Sequence, residues 1–166
     1  NTTAVENTGI GYRALRDTTT GANNTAVGGD ALLLNTTGGS NVAVGKGALD
    51  ANTSGTTNIA IGVNALGANT TASDNVAVGH SALLTNTTGT KLTAVGYESL
   101  DANTTGDQSS AFGYAALTAN TTGNQSTAVG TSSLTTNTTG SSHVAVGFEA
   151  LKANTTASNN TGIGYR

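Results

Sequence analysis

Small apolar and polar residues recur along this chain with a period of 17 positions. A Gly that follows Val, Ile or Phe occurs at 11, 28, 45, 62, 79, 96, 113, 130, 147 and 164, with no insertion or deletion between these positions. Each unit reads approximately Asn-Thr-Thr-Gly-x-x-Asn-(Thr/Val)-Ala-Val-Gly-x-x-Ala-Leu-x-x. The units begin at 1, 18, 35, 52, 69, 86, 103, 120, 137 and 154, so 1–166 is one tandem array. Neither end carries an atypical capping unit, and we therefore expect an uncapped excerpt of a longer array.

The period predicts the fold class. A unit of 17 residues is too short for helical repeats, which need roughly 33 residues or more. It fits two short strands and two tight turns: one strand at 41–44 that ends at Gly45, and a second from Ala48 toward Thr53 that ends at the Gly55 turn. Copies stacked in register about 4.8 Å apart would form an all-β, parallel β-solenoid (a β-roll) of about ten coils.

Three apolar columns run through the repeats. The alanine column is Ala26, Ala43, Ala60, Ala77, Ala94, Ala111, Ala128 and Ala145, with Gly9 and Gly162 at its ends. The valine column follows it: Val27, Val44, Ile61, Val78, Val95, Phe112, Val129, Val146 and Ile163. The leucine column is Leu15, Leu32, Leu49, Leu66, Leu83, Leu100, Leu117, Leu134 and Leu151. The uniformly small alanine column indicates a narrow lumen.

The alanine and valine columns are adjacent, so they point to opposite faces of a strand and both faces are apolar. Either the strand bends at the Gly and both columns partly face one lumen, or the second face packs against another chain. A stripe of about ten branched residues is a large patch for a monomer to expose, which favours burial between subunits. Three thin rolls around an axis would close such an assembly.

Charge and composition exclude several classes of partner. The formal net charge is −3, with only 6 Lys plus Arg, so no basic patch is available for nucleic acid. No apolar run approaches the roughly 20 residues of a membrane span, so no membrane insertion is expected. The absence of Cys excludes a disulfide framework and a thiolate metal site.

The unit Asn41-Val42-Ala43-Val44-Gly45, followed by Ala48-Leu49, resembles the head repeats of trimeric autotransporter adhesins. The longer form, with Ala-Leu and then Asn-Thr-Thr-Gly, is similar to arrays in phage tail fibres and bacterial surface fibres. The resemblance covers the whole chain. It implies a left-handed parallel β-roll that self-associates as a homotrimer or longer fibre, in an extracellular setting at a cell surface or on a virion.

The Asn-Thr-Thr segment gives the most regular polar column. We name its middle Thr the threonine ladder: Thr36, Thr53, Thr70, Thr87, Thr104, Thr121 and Thr138, with equivalents in the other units. Stacked side chains that hydrogen-bond to the next coil explain such a column. The alternative is an ice-binding face, on which ranked Thr hydroxyls and methyls order water. Asn-x-Thr also matches the N-glycosylation acceptor at Asn35, Asn69 and Asn86, although sugars on every coil would crowd.

The position after the Gly varies against this fixed scaffold, which indicates exposure. This turn column is Tyr12, Gly29, Lys46, Val63, His80, Tyr97, Tyr114, Thr131, Phe148 and Tyr165. Tolerated decoration of a turn explains it most simply. Exposed aromatic rings can also bind a host-surface glycan or protein. The candidate contacts are Tyr97, Tyr114 and Phe148, with His80 beside them.

The sequence gives little support for catalysis, and we expect no cofactor, no metal and no enzymatic activity. His80 and His143 lie in different columns, nearly four coils apart. Glu98 and Glu149 share a column but are about 14 Å apart, which is too far for a glycosidase pair. The sequence therefore predicts a structural or adhesive segment of an extracellular or virion fibre, the shaft or head of a tail fibre or surface adhesin. The alternatives are an ice-binding solenoid and a glycan-processing tailspike.

Overall fold

The computed structural model describes residues 3–166, so Asn1 and Thr2, which begin the first repeat, lie outside the described chain. Each repeat contributes one strand of three residues. The strands are β1 (Thr8–Ile10), β2 (Thr25–Val27), β3 (Val42–Val44), β4 (Ile59–Ile61), β5 (Val76–Val78), β6 (Thr93–Val95), β7 (Ser110–Phe112), β8 (Thr127–Val129), β9 (Val144–Val146) and β10 (Thr161–Ile163). The rest of each coil consists of turns and bends.

The strands form a single parallel sheet in chain order. All 10 strands belong to it, and each pairs only with the strands of the preceding and following coils. The register is one repeat throughout: Val42 is opposite Ile59, for example, and Ala43 is opposite Ala60. The parallel β-solenoid that the repeat predicts is therefore confirmed.

The Gly that ends each strand is required by the stacking of the coils. Gly28 has a φ of 135°, which L side chains rarely adopt. A Cβ at this position would lie 2.6 Å from the carbonyl oxygen of Gly45 in the next coil. Only Gly permits both the turn and this backbone contact, and the same geometry recurs along the rod.

The second strand expected in each unit is wrong. The segment from Ala48 toward Thr53 forms turns and a bend, and Leu49 is left-handed, with a φ of 51°. This conformation reverses the chain and directs the Leu side chain inward, where it is fully buried. The segment still stacks, because the Leu49 N–H donates to the Ala65 carbonyl of the next coil at 3.0 Å. Left-handed Leu costs about 1 to 2 kcal/mol, which burial of the side chain offsets.

The core is a thin double layer made by the alanine and leucine columns. Ala26, Ala43 and the other Ala residues of the strand centres are buried, and the Leu side chains from Leu32 to Leu134 fill the opposite side of the lumen. The valine column points outward on the other face of the sheet and stays partly exposed. The alternative in which both strand columns face the lumen is therefore wrong.

Two ladders of buried Asn side chains fill the polar end of the roll. In the first, Asn52 Nδ2 donates to Asn35 Oδ1 at 2.8 Å and to the Gly55 carbonyl at 3.0 Å. In the second, Asn41 Nδ2 donates to the same Gly55 carbonyl, and Asn41 Oδ1 accepts from the Asn58 N–H. These bonds satisfy polar groups that would otherwise be costly to bury.

The first Asn ladder contains the Asn-x-Thr acceptors. The side chains of Asn35, Asn69 and Asn86 are buried, and their amide nitrogens donate within the ladder. The folded solenoid therefore has no room for a sugar on these amides.

Candidate functional site

The threonine ladder uses its hydroxyls to bond the coils together. Thr36 Oγ1 donates to the Thr53 carbonyl at 3.0 Å, and Thr138 Oγ1 donates to the Thr155 carbonyl at 3.1 Å. The members between them make the same bond: Thr53, Thr70, Thr87, Thr104 and Thr121. Because each hydroxyl hydrogen is donated to the main chain, the ladder offers solvent mainly methyl groups and hydroxyl lone pairs.

The outer sheet face is the second candidate surface. We define it as the first and third residues of the ten strands, which point away from the lumen. The first position holds Thr, Ser, Val or Ile, and the third is the valine column with Ile10 added. Representative exposed fractions are 40% for Ile61, 41% for Phe112 and 40% for Val144. The face contains no charged residue, so it is a continuous, weakly polar stripe along the sheet.

The turn column forms the third surface, and its aromatic rings stack on one another. The ring centroids of His80 and Tyr97 lie 5.2 Å apart, and those of Tyr97 and Tyr114 lie 5.4 Å apart. Phe148 and Tyr165 form a separate stack at 5.3 Å. These distances are those of favourable offset aromatic pairs.

Exposure differs among the predicted contact residues of the turn column. Tyr97 is 43% exposed, but both faces of its ring are covered by its stacking neighbours. Tyr114 is 55% exposed and has one stacked face, and Phe148, 43% exposed, stacks on Tyr165 alone. Tyr114 and Phe148 therefore each keep one ring face without a stacking aromatic, whereas Tyr97 presents only its edge and hydroxyl.

Two carboxylates next to the aromatic rings, Glu98 and Glu149, have polar or charged partners. A hydrogen bond to the Glu98 carboxylate raises the pKa of the Tyr97 phenol. Glu149 Oε1 pairs with Lys152 Nζ at 2.7 Å, and its Oε2 pairs with Arg166 Nε at 2.9 Å. The hydrogen bond from Lys152 is the largest cause that lowers the pKa of Glu149. Glu149 is thus held as a structural anion next to Phe148.

Sequence reasoning missed the position of His143. It lies almost fully buried in the column of the second Asn ladder, after Leu92, Ser109 and Ser126 have replaced the Asn of the earlier coils. Its Nδ1 accepts from the Asn160 N–H at 3.3 Å, just as Asn41 Oδ1 accepts from the Asn58 N–H. Burial lowers the pKa of this imidazole. The period of 17 residues places His143 in line with Asn41 and Asn58, and that alignment is the signal that would have found it.

Metal ligands are not grouped in the described chain. Residues 3–166 contain no cluster of three or more His, Cys, Asp or Glu side chains that could hold a metal ion. Within the same range, no helix is long and apolar enough to cross a bilayer.

Comparison with protein-family models, curated proteins and solved structures finds no match to this chain.

Proposed function

We propose that this chain is a stiff structural segment of an extracellular or virion fibre, the shaft or head of a tail fibre or surface adhesin. In this proposal it self-associates along the outer sheet face as a homotrimer. The observation that carries the proposal is the outer sheet face itself: an uncharged, partly exposed stripe along all 10 strands, in which the third position of every strand is apolar.

The stiffness of the rod follows from its bonding. Each coil is joined to the next by sheet hydrogen bonds, by turn hydrogen bonds, and by the Asn and Thr side-chain ladders. A quasi-one-dimensional stack of this kind extends by repetition and resists bending, which suits a spacer that holds other domains away from a surface.

The outer sheet face supports self-association because a monomer rarely exposes a continuous apolar patch. Three rods around an axis bring three copies of the stripe together and close the assembly.

The test is the solution mass, measured by light scattering coupled to size exclusion. A mass near three times 16.2 kDa is expected. The double variant Ile61→Lys with Val129→Lys should reduce that mass, because both side chains lie on the outer sheet face. The matched control, Thr37→Lys with Thr105→Lys, adds the same charge at exposed turn positions and should keep the wild-type mass. A monomeric wild-type chain would contradict the proposal.

Ice binding is a second candidate, because the parallel sheet repeats Thr and Val side chains in strict register. The outer sheet face suits this role better than the threonine ladder, whose hydroxyls donate to the main chain. Thermal hysteresis of the wild-type chain tests it. Loss of that activity in Thr93→Tyr, with retention in Thr87→Val, would assign ice binding to the outer sheet face. A wild-type chain without thermal hysteresis is not an ice-binding protein.

A further inference from the structure

The aromatic stacks of the turn column are separated by a single coil. Tyr114 is the last ring of the first stack, and Phe148 is the first ring of the second. Between them, the turn column holds Thr131, which is small and exposed. The missing ring leaves an open slot above Thr131, with an aromatic residue on each side along the rod.

The slot has the width of one ring. Tyr114 and Phe148 are two coils apart, which is about 9.6 Å at the spacing of parallel strands. Neighbouring rings within the stacks are 5.2 to 5.4 Å apart, so an inserted ring would lie close to that distance from both walls. Within each stacked pair, the two ring planes are 8° to 13° apart. The unstacked face of Tyr114 is therefore the one directed toward the coil of Thr131, and so is the unstacked face of Phe148.

The floor and rim of the slot are polar. The hydroxyl of Thr131 makes no hydrogen bond within residues 3–166, and neither does that of the adjacent Ser132. The Glu149 carboxylate, next to Phe148, is already held by Lys152 and Arg166. The slot thus combines two apolar walls with free hydroxyls at its base and no unpaired charge on its rim.

We propose that this slot binds the pyranose ring of a neutral hexose, such as the terminal sugar of a surface glycan. A pyranose presents C–H groups on its two faces and hydroxyls around its rim, which matches aromatic walls and a hydroxyl-bearing floor. An aromatic side chain of a protein partner would fit the width. It would, however, match the hydroxyls of the floor less well, because an aromatic side chain carries at most one polar group on its ring edge, whereas a pyranose carries several hydroxyls.

The inference deepens the adhesive part of the proposed function, because it names a ligand class for the turn column. It does not require the outer sheet face to self-associate. A monomeric solution mass would therefore contradict the proposed trimer alone, and an absence of sugar binding would contradict the slot alone.

Saturation-transfer NMR on the full chain tests the slot. The probes are the methyl pyranosides of galactose, glucose and mannose, with p-cresol as the aromatic probe. We expect saturation transfer to the ring C–H protons of at least one pyranoside. Thr131→Tyr should abolish this signal, because the new ring completes the stack and fills the slot without removing either wall. Tyr114→Ala removes one wall and should weaken binding about tenfold.

Two further variants complete the design. Tyr12→Ala, which removes an exposed aromatic far from the slot, should leave sugar binding unchanged. Thr131→Ala, which keeps the slot open, should weaken binding without abolishing it. The proposal is overturned if no pyranoside gives a signal, if the signal persists in Thr131→Tyr, or if only p-cresol binds in a manner that Thr131→Tyr blocks.

Discussion

At the scale of single residues, Thr18 occupies a position that holds Asn in every later coil. Its hydroxyl is buried and has no hydrogen-bond partner. In the next coil, Asn35 donates to the Gly38 carbonyl and accepts from Asn52. A Thr side chain is too short to make both of these contacts. The first Asn ladder is therefore interrupted at Thr18, next to Asn35.

Thr18→Asn should therefore stabilise the solenoid. The new amide would donate to the Gly21 carbonyl and accept from Asn35, which gives an expected gain of about 1 kcal/mol in the free energy of unfolding. Urea unfolding followed by circular dichroism measures the change. Thr20→Asn, at an exposed position of the same turn, is the control and should be neutral. Equal effects of the two variants would mean that the buried ladder is not the cause.

His143 is expected to make the solenoid sensitive to acid. The pKa of an unperturbed His is about 6.5, and burial lowers the pKa of His143 in the folded chain. Its neighbours Ser126, Asn154 and Asn160 are uncharged. A protonated Nδ1 would point its N–H at the N–H of Asn160. The unfolded chain therefore binds the proton more readily, and this stabilising contribution is lost as the pH falls below about 6.5 and through the folded pKa.

His143→Asn should remove that sensitivity, because Asn fills the same ladder position without titrating. Between pH 8 and pH 5, the free energy of unfolding of the wild type should fall by more than that of the variant. The explanation fails if His143→Asn and the wild type lose stability in parallel.

At the scale of the structural element, the strand-ending turn can be tested with two adjacent glycines. Gly28 has a positive φ, and an added Cβ would meet the Gly45 carbonyl. Gly29 has no atom within 4 Å of an added Cβ. Gly28→Ala should destabilise the chain by about 2 kcal/mol or more, because the contact is with backbone that cannot move aside.

Gly29→Ala is the matched control for this turn and should be neutral or slightly stabilising, since Ala restricts the unfolded chain. Thermal unfolding of both variants in parallel gives the comparison. If both variants lost similar stability, the close contact between the Gly backbones of adjacent coils would not be the reason that Gly28 must be Gly.

The repeat predicted the strand element well because its alternation is strict. Ala43 between Val42 and Val44 places one column inside and two outside, and the Gly that follows marks the end of the strand. The Leu49 segment was misread because apolar residues with a neighbouring Asn and Thr also match a strand. The left-handed conformation of Leu49 becomes apparent only in the folded chain. No propensity favours that conformation for Leu, which is adopted because it places the side chain in the core.

The candidate surfaces were predicted less completely than the strands. The variable turn column identified Tyr97, Tyr114 and Phe148 as exposed. Whether a ring keeps a free face depends on what occupies the next coil, and the slot at Thr131 appears only when the coils are stacked. The sequence also left the valine column with two possible environments, because alternation alone does not say which side of a strand is the lumen.

At the scale of the whole molecule, the solenoid is a stack in which each coil contacts its neighbours only. Every strand pairs with the preceding and following strands at the same register. Stability should therefore be a sum of similar nearest-neighbour terms. A local change, such as Gly28→Ala, should therefore destabilise mainly the adjoining coils. Amide hydrogen exchange should become faster in those coils, while amides in distant coils stay protected.

The same architecture predicts that one coil can be removed without loss of the fold. Deletion of 52–68 removes one repeat of 17 residues and joins Ala51 to Asn69, so every column continues across the junction. The variant should keep the β circular-dichroism spectrum and shorten the rod by about 4.8 Å in small-angle scattering. Its denaturant m-value should decrease by about a tenth, since less surface is exposed on unfolding.

Deletion of only 52–59, about half a repeat, is the control because it joins Ala51 to Ala60 and leaves too few residues to complete a coil. The alanine and leucine columns would then lose their alignment across the junction, and pairing between the flanking strands should fail there. We expect this variant to be markedly less stable than the full-repeat deletion, although it removes fewer residues. If the two deletions were equally damaging, stability would depend on chain length and not on the register of the coils.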